Sequence, residues 1–322
     1  MSLELAPTSR PNSARRTALA LDQPFSLDAA ASFLCAFPPA SGKVARRGDR
    51  IQLAFALDGT FAPVAVSLAQ RDGRLDIDFA GSDDAGAVRR QVARILSLDH
   101  DGVGWPEVAA RDPLVAALVA ELGALRPVCF GSPYEAAVWA VLVQRISMGQ
   151  AARLSAELSS ELGGAVRIAG TRLLAAPHPL RILDVRTFPG LPTEKLARLH
   201  GLARAALAGR LDAGHLRAMP FEHALAELRT LRGIGQWSGT HVLLRGAGFA
   251  DEPAFAEPRV RRAYAAAMGL TAEPTEEALL AAAERWRPYR TWVCVLLAAA
   301  LSRAVSAAPG GWTWSDPPGT RR

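Results

Sequence analysis

Residues 231–239 read LRGIGQWSG, and this stretch decides how the rest of the chain is interpreted. Gly233 and Gly235 stand in a tight turn between two amphipathic helical segments, and Ile234 between them can point into the core. Glycine permits positive φ and close backbone approach, so the turn amides and the N-terminus of the following helix can face a phosphate group. An ordinary joint between two helices, with glycine ending the first, would also give these residues, so the surrounding sequence has to decide.

The sequence on both sides of this turn predicts a series of helices. Apolar residues recur at helical spacing and Pro or Gly punctuates nearly every junction. The predicted helices span residues 133–144, 150–162, 194–208, 221–230, 237–246, 258–268, 275–285 and 289–305. No strand is predicted beyond the amino-terminal region, so residues 108–305 are expected to form an all-helical unit. Its cleft should lie between 132–249 and the helices of 108–131 and 250–305.

The amino-terminal third has a different pattern. Three strand-like runs, 51–57, 62–70 and 74–80, are joined by Asp58-Gly59 and Asp72-Gly73, which are favoured hairpin turns. The sequence therefore predicts an α+β protein in which a small antiparallel sheet domain, residues 21–107, precedes the helical region. Residues 1–20 are expected to be a disordered basic lead-in and 306–322 a tail.

Charge and cysteine content narrow the function classes. The net charge is +6, the pI is about 9.9, and arginine far outnumbers lysine, which suits a surface that meets phosphates. Cys35, Cys129 and Cys294 lie too far apart for a zinc or iron-sulfur site. The longest apolar run is about half a membrane span, so we expect a soluble, cytoplasmic protein without a metal site.

Four segments resemble the 3-methyladenine DNA glycosylase II (AlkA-like) family of the helix-hairpin-helix DNA glycosylase superfamily. They are 134–147, 191–203, the turn with its continuation to 251, and 284–291, where ERWRPYRT is similar to the family's Trp-Lys-Pro-Trp-Arg-Ser stretch. The likeness extends from about residue 24 to 302. It implies a monomeric, monofunctional enzyme of base excision repair that flips an alkylated base out of duplex DNA and hydrolyses its N-glycosidic bond.

The family places an aspartate at a fixed distance beyond the hairpin, and the matching position here is Glu257. Departure of the base leaves an oxocarbenium-like centre that a carboxylate stabilises. Glutamate keeps the charge but adds roughly an ångström of reach, a misplacement that can cost about a hundredfold in rate. Three interpretations stay open: Glu257 is catalytic, Asp251 replaces it, or no carboxylate is positioned and the protein is a degenerate damaged-DNA-binding module. Glu257 before Pro258 also suits a helix N-terminus.

Other family positions predict the remaining site residues. Bifunctional relatives form a Schiff base through a lysine where this chain has Trp237, so strand cleavage is not expected. The tail has no cysteine, so no iron-sulfur cluster is expected, whereas the resemblance allows a monovalent cation on the hairpin carbonyls. The predicted DNA contacts, including a wedge at Arg145, are Gly233, Ile234, Gly235, Trp237, Ser238, Gln144 and Arg145.

The expected base pocket combines aromatic side chains with two departures from the family. Aromatic faces would hold a cationic alkylated base by stacking and cation-π attraction. The predicted pocket residues are Trp237, His241, Trp286, Tyr289, Trp292 and Ala298. His241 stands where the family has a tyrosine, and Ala298 where it has a stacking tryptophan, so the substrate range is expected to differ.

Overall fold

The structure, a computed structural model, describes residues 14–255 and 257–307. Five strands form one antiparallel sheet in the order β1-β5-β4-β3-β2. Their bounds are β1 Arg15–Ala20, β2 Val44–Arg47, β3 Arg50–Ala56, β4 Pro63–Arg71 and β5 Arg74–Ala80. The turn between β4 and β5 is the predicted one, because Asp72 and Gly73 both have positive φ, 43° and 72°, as a type I′ turn requires.

Two parts of the sheet region differ from the prediction. Residues 15–20 form β1, so the expectation that residues 1–20 lack structure is wrong there; residues 1–13 lie outside the described residues. The region predicted to be all-helical contains a hairpin of β6 (Ala165–Ile168) and β7 (Thr171–Leu174). Its apolar side chains pack on small alanines of the five-stranded sheet. Both elements are short. Strand β1 pairs with the sheet and the β6–β7 hairpin packs on it, and local sequence does not reveal such contacts.

All eight predicted helices are confirmed, with ends shifted by a few residues. The helices are α1 Leu27–Ala36, α2 Ala85–Ile95, α3 Trp105–Arg111, α4 Pro113–Leu122, α5 Pro133–Leu142, α6 Met148–Leu162, α7 Pro179–Asp184, α8 Thr193–Leu207, α9 Ala213–Arg217, α10 Phe221–Arg229, α11 Gln236–Val242, α12 Pro258–Ala267, α13 Glu276–Ala283 and α14 Arg290–Ala307. A π-helical turn, Leu243–Ala247, continues α11. Within the described ranges, no helix has both the length and the apolar composition of a membrane span.

The helices divide between two hydrophobic cores. One core contains the five-stranded sheet with α1 to α4 and α12 to α14. The other contains α5 to α11, with α5 at its centre because all ten of its residues are buried. A Cβ on Gly246 would lie 2.7 Å from Pro133 Cα, so only glycine lets the end of the α11 segment pack this closely on α5.

A buried ion pair connects the sheet side to α5. Lys43, just before β2, donates a hydrogen bond to Glu135 in the first turn of α5. Their side chains are 7% and 8% exposed, respectively. Removing one partner of such a pair leaves an uncompensated buried charge, which costs more than the pair itself contributes.

We therefore expect Glu135→Ala to lower the free energy of unfolding by about 3 to 5 kcal/mol. The double variant Lys43→Met with Glu135→Leu removes both charges, and it should recover most of that loss. Urea unfolding of the three proteins measures the difference through the transition midpoint. A double variant no more stable than Glu135→Ala would contradict this account of the pair.

Candidate nucleic-acid interface and cavity

The glycine turn joins α10 to α11 as predicted. Gly233 has a φ of +89°, and Gly235 is the extended residue that precedes α11. Ile234 N–H donates to Leu231 O over 3.0 Å, and Ile234 is 5% exposed in the core between the two helices. A Cβ on Gly239 would lie 2.6 Å from Leu225 Cδ1, so α10 and α11 pack at close range. The turn thus holds its apolar residue inside and leaves Gly235 and Gln236 exposed.

The loop after α5 meets this turn. Gln144 Nε2 donates to Gly233 O over 2.9 Å, and Arg198 donates to Gln144 Oε1. Gln144 therefore supports the turn through side-chain hydrogen bonds. The neighbouring Arg145 is exposed and has a φ of +59°, which places it at the tip of a tight bend. Ser238, predicted as a DNA contact, is only 6% exposed and offers little surface to a ligand.

A cavity lies beside α11, between the two cores. Aromatic rings from α1 and α11 form its walls: Trp237 and His241 stack with ring centroids 5.2 Å apart and planes 13° apart. The residues that line it are Phe33, Phe37, Pro38, Pro39, Trp139, Val143, Met148, Trp237, Thr240, His241, Leu244, Arg245, Ala254, Glu257, Arg259, Val260, Cys294, Val295, Ala298 and Ala299. Of the six predicted pocket residues, Trp237, His241 and Ala298 are among them.

Glu257 lies at the wall of this cavity, next to the glycine turn. It caps the N-terminus of α12: Oε1 accepts from Arg259 N–H over 3.3 Å and from Arg259 Nε over 2.7 Å. Oε2 accepts from Trp237 Nε1 over 3.4 Å. Burial alone raises the pKa of this carboxyl, but the hydrogen bonds and charge of Arg259 outweigh it, and the net pKa is lowered. The carboxylate is therefore ionised at neutral pH.

Asp251, the alternative carboxylate, is engaged elsewhere. Its oxygens accept from Arg290 Nε over 2.9 Å and from Arg287 Nη1 over 3.0 Å. It is not among the residues that line the cavity. Asp251 thus fixes the start of α14 to the loop before α12, outside the cavity lining.

Trp286, Tyr289 and Trp292, which were also predicted as pocket residues, do not line this cavity. Trp286 is fully buried and donates from Nε1 to Asp112 Oδ2 over 2.9 Å. Tyr289 and Trp292 pack against each other and against Trp105, with centroids 4.7 to 5.7 Å apart. The motif at 284–291 therefore builds the first core. Its aromatic types suit both roles, and sequence alone does not say which way the rings face.

Sequence reasoning missed three of the aromatic residues that form the walls, Phe33, Phe37 and Trp139. Phe33 and Phe37 lie one turn apart at the end of α1, and Trp139 comes from the buried helix α5. The spacing of Phe33 and Phe37 is a signal for one helix face. Nothing in the sequence indicates that this face meets α11, about two hundred positions further along the chain.

Two polar side chains complete the cavity. Burial and the charge of Arg245 lower the pKa of His241 to about 3, so this imidazole is neutral, and its Nε2 has no hydrogen-bond partner in the described ranges. Arg245 Nη2 donates to Val128 O over 2.6 Å. The Arg245 guanidinium lies over the rings of Phe33 and Phe37, 5.6 and 5.2 Å from their centroids.

The hairpin carbonyls were expected to allow a monovalent cation. Gly233 O accepts from Gln144 Nε2, and Leu231 O accepts from Ile234 N–H. A cation would have to share these two oxygens with donors already in place. No step of the function proposed below depends on such an ion.

Comparisons with known proteins agree on one group of enzymes. A DNA-3-methyladenine glycosylase of Bacillus subtilis is 24% identical over 210 residues, which are 63% of this chain and 68% of that protein. A probable bifunctional transcriptional activator/DNA repair enzyme AlkA of Mycobacterium tuberculosis is 30% identical over 226 residues, 67% of this chain. The match spans only 43% of that relative's own length.

The solved structures give the same fold. The 3-methyladenine DNA-glycosylase of Archaeoglobus fulgidus matches with a TM-score of 0.74 at 21% identity, over 87% of this chain and 96% of that one. No family model matches the chain.

The two turn glycines should respond differently to substitution. Gly233→Ala forces an L-residue to a φ of +89° and puts its Cβ 2.6 Å from Arg198 Cδ, so the free energy of unfolding should fall by about 1 to 3 kcal/mol. Gly235→Ala meets nothing within 4 Å, so stability should change by less than about 0.5 kcal/mol.

Gly235→Ala should nevertheless weaken duplex DNA binding, because its methyl group would stand on the open backbone where a phosphate would approach. Thermal unfolding and fluorescence anisotropy with a labelled duplex measure the two effects. Unchanged DNA affinity in Gly235→Ala would argue against the turn as the phosphate contact.

Proposed function

We propose that this chain, an AlkA-like member of the helix-hairpin-helix DNA glycosylases, hydrolyses the N-glycosidic bond of an everted alkylated nucleotide in duplex DNA, with Glu257 as its catalytic carboxylate. The observation that carries the role of Glu257 is its position. An ionised, half-buried carboxylate lies in an aromatic-walled cavity, and Trp237, two residues beyond Gly235, donates a hydrogen bond to it. The relatives from Bacillus subtilis and Archaeoglobus fulgidus are likewise named as 3-methyladenine DNA glycosylases.

The turn is the proposed phosphate contact. Exposed backbone at Gly235 and Gln236 opens the N-terminus of α11 to a phosphate, where the helix dipole favours negative charge. Arg145, at the tip of the loop that Gln144 ties to the turn, is placed to reach the duplex. A guanidinium there can fill the space of the everted base or contact the backbone. These contacts grip the DNA without reading its sequence.

The chemistry follows from charge. As the bond between the sugar carbon and the base nitrogen breaks, its electron pair leaves with the base and positive charge develops on the sugar. The Glu257 carboxylate stabilises that charge. A water molecule then adds its oxygen to the sugar carbon and gives a proton to Glu257. The degenerate binding module is not favoured, because the ionised carboxylate that hydrolysis needs faces the cavity.

We further propose that the enzyme is monofunctional, because neither of its lysine side chains is available to form a Schiff base. Its only two lysines are Lys43 and Lys195. Lys43 is buried against Glu135, and Lys195, 8% exposed, donates to Leu142 O over 2.7 Å. Neither residue lines the cavity.

Glu257→Gln should lower the single-turnover rate of base release from alkylated duplex DNA by about a hundredfold to a thousandfold, the size of one lost electrostatic contact at a developing charge. The amide keeps the shape of the side chain, so affinity for a duplex with an abasic-site analogue should stay close to that of wild type. Glu273→Gln, a charge change on the surface away from the cavity, is the matched control. Full activity in Glu257→Gln would assign the chemistry to another group.

The pH profile of the single-turnover rate should follow the ionisation of Glu257. The pKa of this carboxyl in the folded protein is lowered, so activity is present above the ordinary glutamate range and is lost only as the pH falls through the lowered pKa. The acid limb should therefore lie below about 4.3, the usual glutamate value. A limb near pH 6 would show that a different group titrates.

A further inference from the structure

The charged groups on the cavity wall do not balance. Among the described residues that line it, Arg245 and Arg259 are cationic and Glu257 alone is anionic. His241 is neutral, and burial raises the pKa of the Cys294 thiol to about 12, so neither adds charge near neutral pH. A base that enters the cavity therefore meets one more positive than negative side chain.

The two guanidinium groups also occupy two of the features that would attract a cationic base, the faces of Phe33 and Phe37 and the carboxylate of Glu257. Arg245 covers the faces of Phe33 and Phe37, so their cation-π attraction is directed to the protein's own cation. Arg259, through its Nε, forms an ion pair with Glu257, the only carboxylate among the described residues of the wall. A base with a formal positive charge would have to compete with an arginine at each place.

The two arginines can stabilise the negative charge that develops on a neutral base as it leaves. A cationic alkylated purine departs as a neutral molecule, and its bond is already weakened by its charge. A neutral base takes the same bonding electron pair and therefore departs as an anion, with negative charge developing on its ring nitrogens or carbonyl oxygens. Guanidinium N–H groups near those atoms stabilise that charge in the transition state.

We propose that the cavity is selective for neutral alkylated bases with carbonyl or ring-nitrogen acceptors, over cationic N-alkyl purines, and that Arg259 is the residue that sets this preference. The inference rests on the glycosylase function proposed above. Arg259 is the better candidate of the two cations because its side chain is 32% exposed at the cavity. Arg245 is tied to the backbone of Val128 and to two aromatic rings, so it also supports the fold.

The test compares single-turnover excision from two duplexes, one with ethenoadenine, which is neutral, and one with 7-methylguanine, which is cationic. Each rate is divided by the spontaneous rate of base loss from the same duplex, so that the intrinsic weakness of the cationic bond does not enter. We expect wild type to give the larger enhancement on ethenoadenine. Arg259→Met should lower the ratio of the two enhancements by about tenfold, which corresponds to about 1.4 kcal/mol of transition-state stabilisation.

Two further variants separate specificity from structure. Arg259→Lys keeps the positive charge and should retain most of the ratio. Arg262→Met removes a cation of similar exposure, 38%, from the same helix, where it pairs with Glu273 outside the cavity, and should leave the ratio unchanged. If Arg259→Met lowers both enhancements equally, Arg259 only positions Glu257 and the specificity inference is overturned.

The outcomes also distinguish this inference from the function on which it rests. A larger wild-type enhancement on 7-methylguanine would overturn the selectivity and confirm the glycosylase. Loss of neither base above the spontaneous rate, in a folded protein that binds the duplex, would overturn both.

Discussion

The packing of Ile234 between α10 and α11 is the constraint on which the rest of the site depends. Its side chain is in the core, and the glycines on either side keep the backbone of the turn accessible, so core packing and the proposed DNA contact share three consecutive residues. The segment that starts here presents Trp237, His241 and Arg245 at spacings of four residues to one cavity. A single anchored turn therefore fixes both the proposed phosphate contact and one wall of the cavity.

The change from aspartate to glutamate at position 257 is accommodated by the start of α12. A longer side chain would normally move the carboxylate by about an ångström, enough to reduce catalysis. Here the side chain folds back to accept from the backbone and side chain of Arg259, while Trp237 holds the other oxygen. Helix capping, the structural role that the sequence also predicts for Glu257, is thus compatible with the proposed catalytic one. One set of hydrogen bonds keeps the carboxylate ionised and limits its positions.

The sequence was most informative where function and local structure coincide. Helical periodicity and the glycine turn are local, and the structure contains both as expected. Glu257 lies at a fixed spacing beyond the turn, and the structure places it in contact with Trp237. The sequence did not predict contacts between residues that lie far apart along the chain. Trp286, Tyr289 and Trp292 face the core, while Phe33 and Phe37 reach the cavity from the amino-terminal region. Strands β1 and β6 depend on contacts with the sheet, which no local pattern encodes.

The departures from the family pattern have a common location. Glu257, His241 and Ala298 all line one cavity, whereas the glycine turn keeps the family's pattern. At these positions the charge of the acid is kept, a phenol is replaced by a neutral imidazole, and an aromatic wall is replaced by a methyl group. The proposed phosphate contact at the glycine turn and the negative charge of Glu257 suit any nucleotide of a duplex. The shape and polarity of the cavity do not. Under the proposed function, differences at these three positions would change which base is removed while the reaction stays the same.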